Sequence, residues 1–325
     1  MPSPTSPKAL RLPFGEQRPT VDLVQGFSPY YQTDYGAAYL ADSLDVMKAM
    51  PDGSINLVFT SPPYALHFKK EYGNVHRDEY VDWFLAFAKE IHRTLTEDGS
   101  FVLNIGGTWN PGVPTRSIYQ YKLLVALVEE IKFCLAQECF WYNPAKMPVP
   151  AEWVTVRRIR VKDAVEHVWW FSKTPWPKAD NRRVLRPYSR DMLRLNERGV
   201  KTAVRPSGHN INESFDDISA GGSIAPNVFE DVSPTDFLKL GNNTSNDPYT
   251  KRCKEAGLKI HPARFPAAMP EFFLKMLTDE GDVVLDPFAG SNTAGAIAEG
   301  LGRRWIAVET VEEYLAGSKF RFDLS

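Results

Sequence analysis

Residues 283–309, "VVLDPFAGSNTAGAIAEGLGRRWIAVE", constrain the fold of this chain more than any other stretch. An apolar, β-branched run stops at Asp286, a glycine-bearing turn follows, then a helix of small residues, and a second apolar run ends in Glu309. This is the βαβ logic of a nucleotide site. Gly290 lets the backbone approach a ligand, and an acidic residue after the second strand can accept bonds from ribose hydroxyls. The turn has neither the GxGxxG spacing of a dinucleotide fold nor the lysine of a P-loop. Asp286 stands where a pyrophosphate would need amides, so a ligand there is neutral or cationic, a requirement that a sulfonium nucleoside with an amino-acid tail meets. A plain strand–turn–helix junction is the bland alternative.

The same alternation runs through the rest of the chain. "AYLADSLDVMKAM" (38–50) reads as a strand end and a helix with Asp42 or Ser43 as its cap, and "INLVFT" (55–60) as a buried parallel strand. Tyr80, Phe84, Phe87, Ala88, Ile91 and Leu95 recur at helical spacing, "EDG" closes that helix, and "SFVLNIGG" is the next strand. A helix over 117–133, an aromatic strand near 136–143 and a strand over 165–173 follow. The pattern predicts a doubly wound, Rossmann-like α/β fold with a mostly parallel sheet. Residues 174–258 are low in periodicity and rich in Pro, Asn, Ser, Gly and Arg, which predicts an inserted, partly flexible binding module. A helix over 270–281, the βαβ unit and a last helix complete the chain.

Composition narrows the setting. With 43% hydrophobic and 24% charged residues, 325 residues suffice for one large α/β domain with an insertion. Cys134, Cys139 and Cys253 are odd in number and lack CxxC spacing, which suggests neither disulfides nor a metal site and fits a reducing cytoplasm. The N-terminus has no apolar signal region, and no run is long and apolar enough for a membrane. The net charge of −2 conceals an imbalance, because Arg157–Arg205 carry 14 Lys/Arg against 5 Asp/Glu. Such a segment could face a polyanion.

The second chemical feature is Ser61, Pro62, Pro63 and Tyr64, which end the strand "INLVFT". Prolines fix φ and remove amide donors, so the strand cannot continue through them. Ligands of open α/β sheets bind beyond such strand ends, which places this rigid corner for chemistry.

"TSPPY" and "DPFAGSNT" together resemble the DNA amino-methyltransferases, which methylate exocyclic amines from S-adenosylmethionine. The order of motifs, catalytic corner first and cofactor turn last, is similar to the permuted β class, and the leading serine to its cytosine-N4 members. The resemblance spans most of the chain, through "EYVDWFL", "VWWFSKT", "RPSGH" and "HPARFPA".

It implies an S-adenosylmethionine-dependent enzyme that methylates the N4 amine of a flipped cytosine in double-stranded DNA, in a CAGCTG-like site, without a metal. An adenine-N6 enzyme of this fold and a silent DNA-binding protein are the alternatives. It also implies that Ser61 Oγ and the Pro62 carbonyl accept the amine protons, with Pro63 stiffening the corner and Tyr64 stacking on the base. The cofactor residues carried over are Asp42, His261, Phe265, Asp286, Phe288, Gly290, Ser291, Asn292, Thr293 and Glu309. His261 receives no proton-transfer role.

Residues 174–258 correspond to the target-recognition region, between a catalytic half at 31–173 and a cofactor half at 259–325, with 1–30 a partly flexible tail. Ser189 caps a short helix that lines up Arg190, Arg194 and Arg198 at i, i+4, i+8, and with Arg205, Ser207 and His209 these are the expected DNA contacts. A monomer, functionally paired with a restriction endonuclease, completes the expectation.

Overall fold

A computed structural model describes residues 20–65, 75–144, 146–198, 203–204, 210–211, 218–219, 221–230 and 248–324. The strands are β1 (Tyr31–Gln32), β2 (Gly36–Leu40), β3 (Ile55–Thr60), β4 (Leu95–Ile105), β5 (Cys134–Tyr142), β6 (Val165–Ser172), β7 (Ala203–Val204), β8 (Asn210–Ile211), β9 (Val228–Glu230), β10 (Val283–Asp286) and β11 (Arg304–Glu309). Nine of them form one sheet in the order β1-β2-β11-β10-β3-β4-β6-β5-β9, while β7 and β8 pair antiparallel as a separate two-stranded sheet. Its centre, from β2 to β4, is parallel; β6 then pairs antiparallel with both β4 and β5.

Strand alternation builds the two cores. Val58, Phe101, Leu103, Leu285 and Ile306 point to one face, under α1 (Ser43–Lys48), α2 (Tyr80–Thr94) and α3 (Tyr119–Glu129). Leu57, Phe59, Val102, Val284 and Trp305 point to the other. That face is covered by α6 (Ala268–Leu277), α7 (Thr293–Gly300) and α8 (Glu312–Ser318). The remaining helices, α4 (Arg190–Arg198) and α5 (Pro248–Glu255), belong to the long segment before α6. Helices on both faces of a mostly parallel sheet make the doubly wound fold that the alternation predicts.

Several boundaries differ from the sequence reading, among them those of β4 and α3. β4 begins at Leu95, directly after α2, so "EDG" does not separate helix from strand. It lies within β4 as an irregularity: Ile55 pairs with Leu95, and the next pair is Leu57 with Ser100. The backbone N–H groups of Lys173 and Lys178 donate to Gly99 and Asp98 across this irregularity, so the extra residues stay paired. α3 stops at Glu129, four residues short of the expected end, and the chain turns through Lys132 at φ +75°.

The described parts of 174–258 are tied into the main domain at several points. β9 pairs parallel with β5 at the sheet edge, and Lys178 Nζ bridges Asp279 and Asp282 at 2.6 and 2.7 Å. In α5, Tyr249 and Cys253 are buried against Gly317 of α8. Near the N-terminus, Val24 is buried in the first core; residues 1–19 lie outside the described residues.

Candidate active site

The winding of the sheet reverses between β10 and β3: β10 leads through α7 to β11 on one side, β3 through α2 to β4 on the other. A crevice opens at such a reversal, beyond the carboxyl ends of the strands. Here the two halves are tied by a buried hydrogen bond in which Thr60 Oγ1 donates to Asp286 Oδ1 at 2.6 Å. Above it lies a cavity of about 410 Å³. The Ser61–Tyr64 corner lines it together with Asp42, His261, Phe265, Phe288, Ser291, Thr293 and Glu309, so most of the residues expected from sequence converge.

Asp42 does two things. Its carboxylate accepts from the Leu44 N–H at 2.8 Å as the cap of α1, and it borders the cavity. Glu309 Oε2 accepts from Gly290 N–H at 2.8 Å, and Oε1 accepts from the Thr310 and Val311 N–H groups, both at 2.9 Å. A carboxylate offers about four acceptor positions, so Glu309 keeps one for a ligand hydroxyl. Gly290 has φ +51°, and a Cβ there would lie 3.0 Å from the His261 ring. Glycine therefore serves both the left-handed turn and the approach of His261. His261 itself packs edge-on against Tyr314 at 4.6 Å. Burial pushes its pKa down to about 4, which makes it a neutral wall.

Asn292 is not among the cavity residues. It is fully buried at φ +51°, accepts from Gly295 N–H at 3.1 Å as the cap of α7, and donates to Tyr31 Oη at 3.0 Å. Its side chain shapes the turn from behind.

Asp286 is also beneath the cavity. Its Oδ1 accepts from Thr60 and from Phe288 N–H at 3.1 Å, while Oδ2 is buried with no hydrogen-bond partner among the described residues. Burial, opposed by those two bonds and assisted by nearby Glu309, raises its pKa from 3.8 to about 7. Between these values the folded chain holds a proton that the unfolded chain has released, so this group's contribution to stability falls as pH rises from about 4 to 7. Asp286→Asn is therefore expected to flatten the pH dependence of the urea midpoint over that window. An unchanged slope would show that Asp286 does not titrate there.

The cavity is also walled by residues to which the sequence reading gave no role in the site. Trp83 and Phe87 of α2 stand with Phe288, at ring distances of 5.8 and 5.1 Å, and Phe265 packs on Phe59 at 5.1 Å. Asn104, Trp141 and Glu166 close the side nearest the catalytic corner. Tyr64 Oη donates to Glu166 Oε2 at 2.8 Å and lies 3.3 Å from both Ser61 Oγ and Asn104 Oδ1. Gly106 leaves room for the Tyr64 ring, since a Cβ there would come within 2.5 Å of it. The available signal was a polar residue inside an apolar run, Asn104 in "FVLNI" and Glu166 in "VEHVWWF", because buried polar groups need partners.

On α4, Arg190, Arg194 and Arg198 are exposed, with Ser189 Oγ accepting from Met192 N–H at 3.1 Å as the cap. Arg205, Ser207 and His209 lie outside the described residues. Part of the basic excess is neutralised within the fold: Lys173 pairs with Glu97, and Lys178 and Arg183 both pair with Asp279. More cations stand on the β5–β6 connection, where Arg157, Arg158 and Lys162 are exposed beside Met147 and Val161, 69% and 86% accessible. Among the described residues there is no cluster of metal-ligating side chains and no helix long and apolar enough to cross a membrane.

The cavity at the carboxyl strand ends, beside the point where the sheet reverses, marks a Rossmann-like, doubly wound α/β protein with its ligand site at the reversal. Residues 55–320 match the family described as DNA methylase, and the chain belongs to that family. It is 51% identical over 300 residues to the type II methyltransferase M.PvuII of Proteus hauseri, covering 91% of this chain and 86% of that protein. The solved structure of the PvuII DNA methyltransferase (cytosine-N4-specific) matches with a TM-score of 0.73 and 44% identity over 92% of each chain. The type II methyltransferase M.ScaI of Streptomyces caespitosus is 27% identical over 288 residues, 88% of this chain and 81% of that one.

Proposed function

We propose that this DNA methylase transfers a methyl group from S-adenosylmethionine to the N4 amine of a cytosine flipped out of duplex DNA. The observation that carries this reading is that the Ser-Pro-Pro-Tyr corner and the acidic cofactor wall, Asp42 and Glu309, face one cavity. The cofactor fits the residues present: Glu309 has acceptor capacity for ribose hydroxyls, Phe288 and Phe265 offer apolar faces, and the unpartnered Asp286 Oδ2 favours a cation over a phosphate. Its sulfonium supplies an electrophilic methyl group.

The protein's own work is to orient the amine. A cytosine amine is a poor nucleophile because its lone pair is delocalised into the ring. Acceptors on both amine protons, Ser61 Oγ and the Pro62 carbonyl, favour a pyramidal nitrogen, and the two prolines keep them in place before the base arrives. Tyr64 supplies a face for the base. No strong base is required, since the nitrogen becomes acidic once methylated. Arg190, Arg194 and Arg198, with Arg205, Ser207 and His209, form the DNA-contacting set, and 174–258 is the target-recognition region between the catalytic and cofactor halves. A CAGCTG-like target, a partner restriction endonuclease, a monomeric enzyme and a cytoplasmic setting complete the proposal.

Nucleoside analysis of DNA treated with the purified protein and S-adenosylmethionine tests it. N4-methylcytosine is the expected product; N6-methyladenine alone would refute the choice of amine.

A further inference from the structure

The polar residues behind the catalytic corner form a chain with a direction. Lys146 Nζ donates to Glu166 Oε1 at 2.9 Å, Tyr64 Oη meets Glu166 Oε2 at 2.8 Å, and Ser61 Oγ lies 3.3 Å from Tyr64 Oη. Glu166 is buried, 9% exposed, so water does not compete strongly for its oxygens. Tyr64 has a single proton and three acceptor oxygens in reach, Glu166 Oε2 at 2.8 Å and Asn104 Oδ1 and Ser61 Oγ both at 3.3 Å. Asn104 Oδ1 is turned to Tyr64 because its Nδ2 donates to the His167 carbonyl at 3.1 Å. The shorter, charge-assisted bond takes the proton. Were Tyr64 to donate to Ser61 instead, two oxygens would face each other at 2.8 Å with no hydrogen between them.

With its proton committed to Glu166, the Tyr64 oxygen can only accept from Ser61. The Ser61 hydroxyl therefore points its hydrogen backwards, and its lone pairs face the cavity. We propose that Glu166, anchored by Lys146, is a positioning residue that sets this direction through Tyr64, so that Ser61 Oγ meets the substrate as an acceptor and the site selects an exocyclic amine over a carbonyl. Burial and the Glu166 charge both raise the pKa of Tyr64, which keeps the donor protonated. The choice of amine over carbonyl is a difference in hydrogen-bond polarity, which a buried site discriminates strongly because a mismatch leaves its own polar groups unpaired.

The inference rests on the cytosine-N4 reading, and its test separates the two. Glu166→Gln and Tyr64→Phe are compared with the unaltered protein on duplexes carrying dC or dU at the mapped methylation position, with binding read by fluorescence anisotropy in the presence of S-adenosylhomocysteine. Each variant is expected to lose roughly 10- to 100-fold in kcat at an unchanged KM for S-adenosylmethionine. Each should also narrow the dC-over-dU preference, because the freed Ser61 hydroxyl can then donate to a carbonyl. The wobble mismatch that dU creates is common to all proteins and cancels in the comparison. Tyr64→Phe keeps the ring, so the test survives if Glu166→Gln fails to fold. Loss of activity with the preference intact would overturn the proposal, as would kcat near that of the unaltered protein. A failed cytosine-N4 reading appears instead as the wrong methylated nucleoside from the unaltered enzyme.

Discussion

Replacing Ser61 by alanine is expected to lower kcat for methyl transfer by roughly 100- to 1,000-fold while S-adenosylmethionine binds as before. The side chain follows the carboxyl end of β3 and borders the cavity, and its hydrogen bond runs to Tyr64 rather than to Asp42 or Glu309. On the proposed mechanism, truncation would remove one of two acceptors on the amine and leave the nitrogen lone pair in the ring, a loss felt only as the methyl group approaches. An effect confined to the transition state lowers kcat and leaves ground-state binding alone. Single-turnover rates at saturating cofactor, with calorimetric titration of S-adenosylmethionine, check both halves. Turnover near that of the unaltered enzyme would mean that the Ser61 oxygen is not an acceptor for the amine.

Glu309→Ala should do the reverse. Its carboxylate ends β11, holds the N–H groups of Gly290, Thr310 and Val311, and retains one acceptor position, on Oε2, for a ligand hydroxyl. A hydrogen bond to a charged group contributes about 1.5–3 kcal/mol, so losing it should weaken cofactor binding by roughly 10- to 100-fold. The released Gly290 turn adds to that. At saturating cofactor, kcat should recover to within a few-fold. Glu309→Gln, which keeps one acceptor oxygen for the backbone, separates the two contributions: it should lose affinity with less loss of thermal stability. Unchanged cofactor affinity in both variants would remove Glu309 from the cofactor site.

The parts of this site that could be read in one dimension are those whose local chemistry is special. Two prolines after an apolar run, a glycine at a left-handed turn and an acidic residue ending a second buried strand each carry a backbone constraint independent of distant contacts. Asn292 was legible as part of the turn but not in its role, since its partners Gly295 and Tyr31 lie in front of and behind it, Tyr31 261 residues away. Phe87 read as core because helical spacing says only that a face is apolar, and that face both covers the sheet and borders the cavity, while its neighbour Trp83 carried no such signal.

By itself, the amino-acid sequence determined the alternation of strands and helices, the rigid corner at Ser61–Tyr64 and the cofactor turn at Asp286–Thr293, because each follows from hydrophobic period or from proline and glycine geometry. The assembled sheet places β10 beside β3, bringing Thr60 to Asp286 across 226 residues and the corner to the turn. It alone brought Glu166, from an antiparallel strand 102 residues downstream, onto Tyr64. Strand pairing is a non-local choice, set by the packing of both faces of the sheet at once, and no short stretch of chain contains that information.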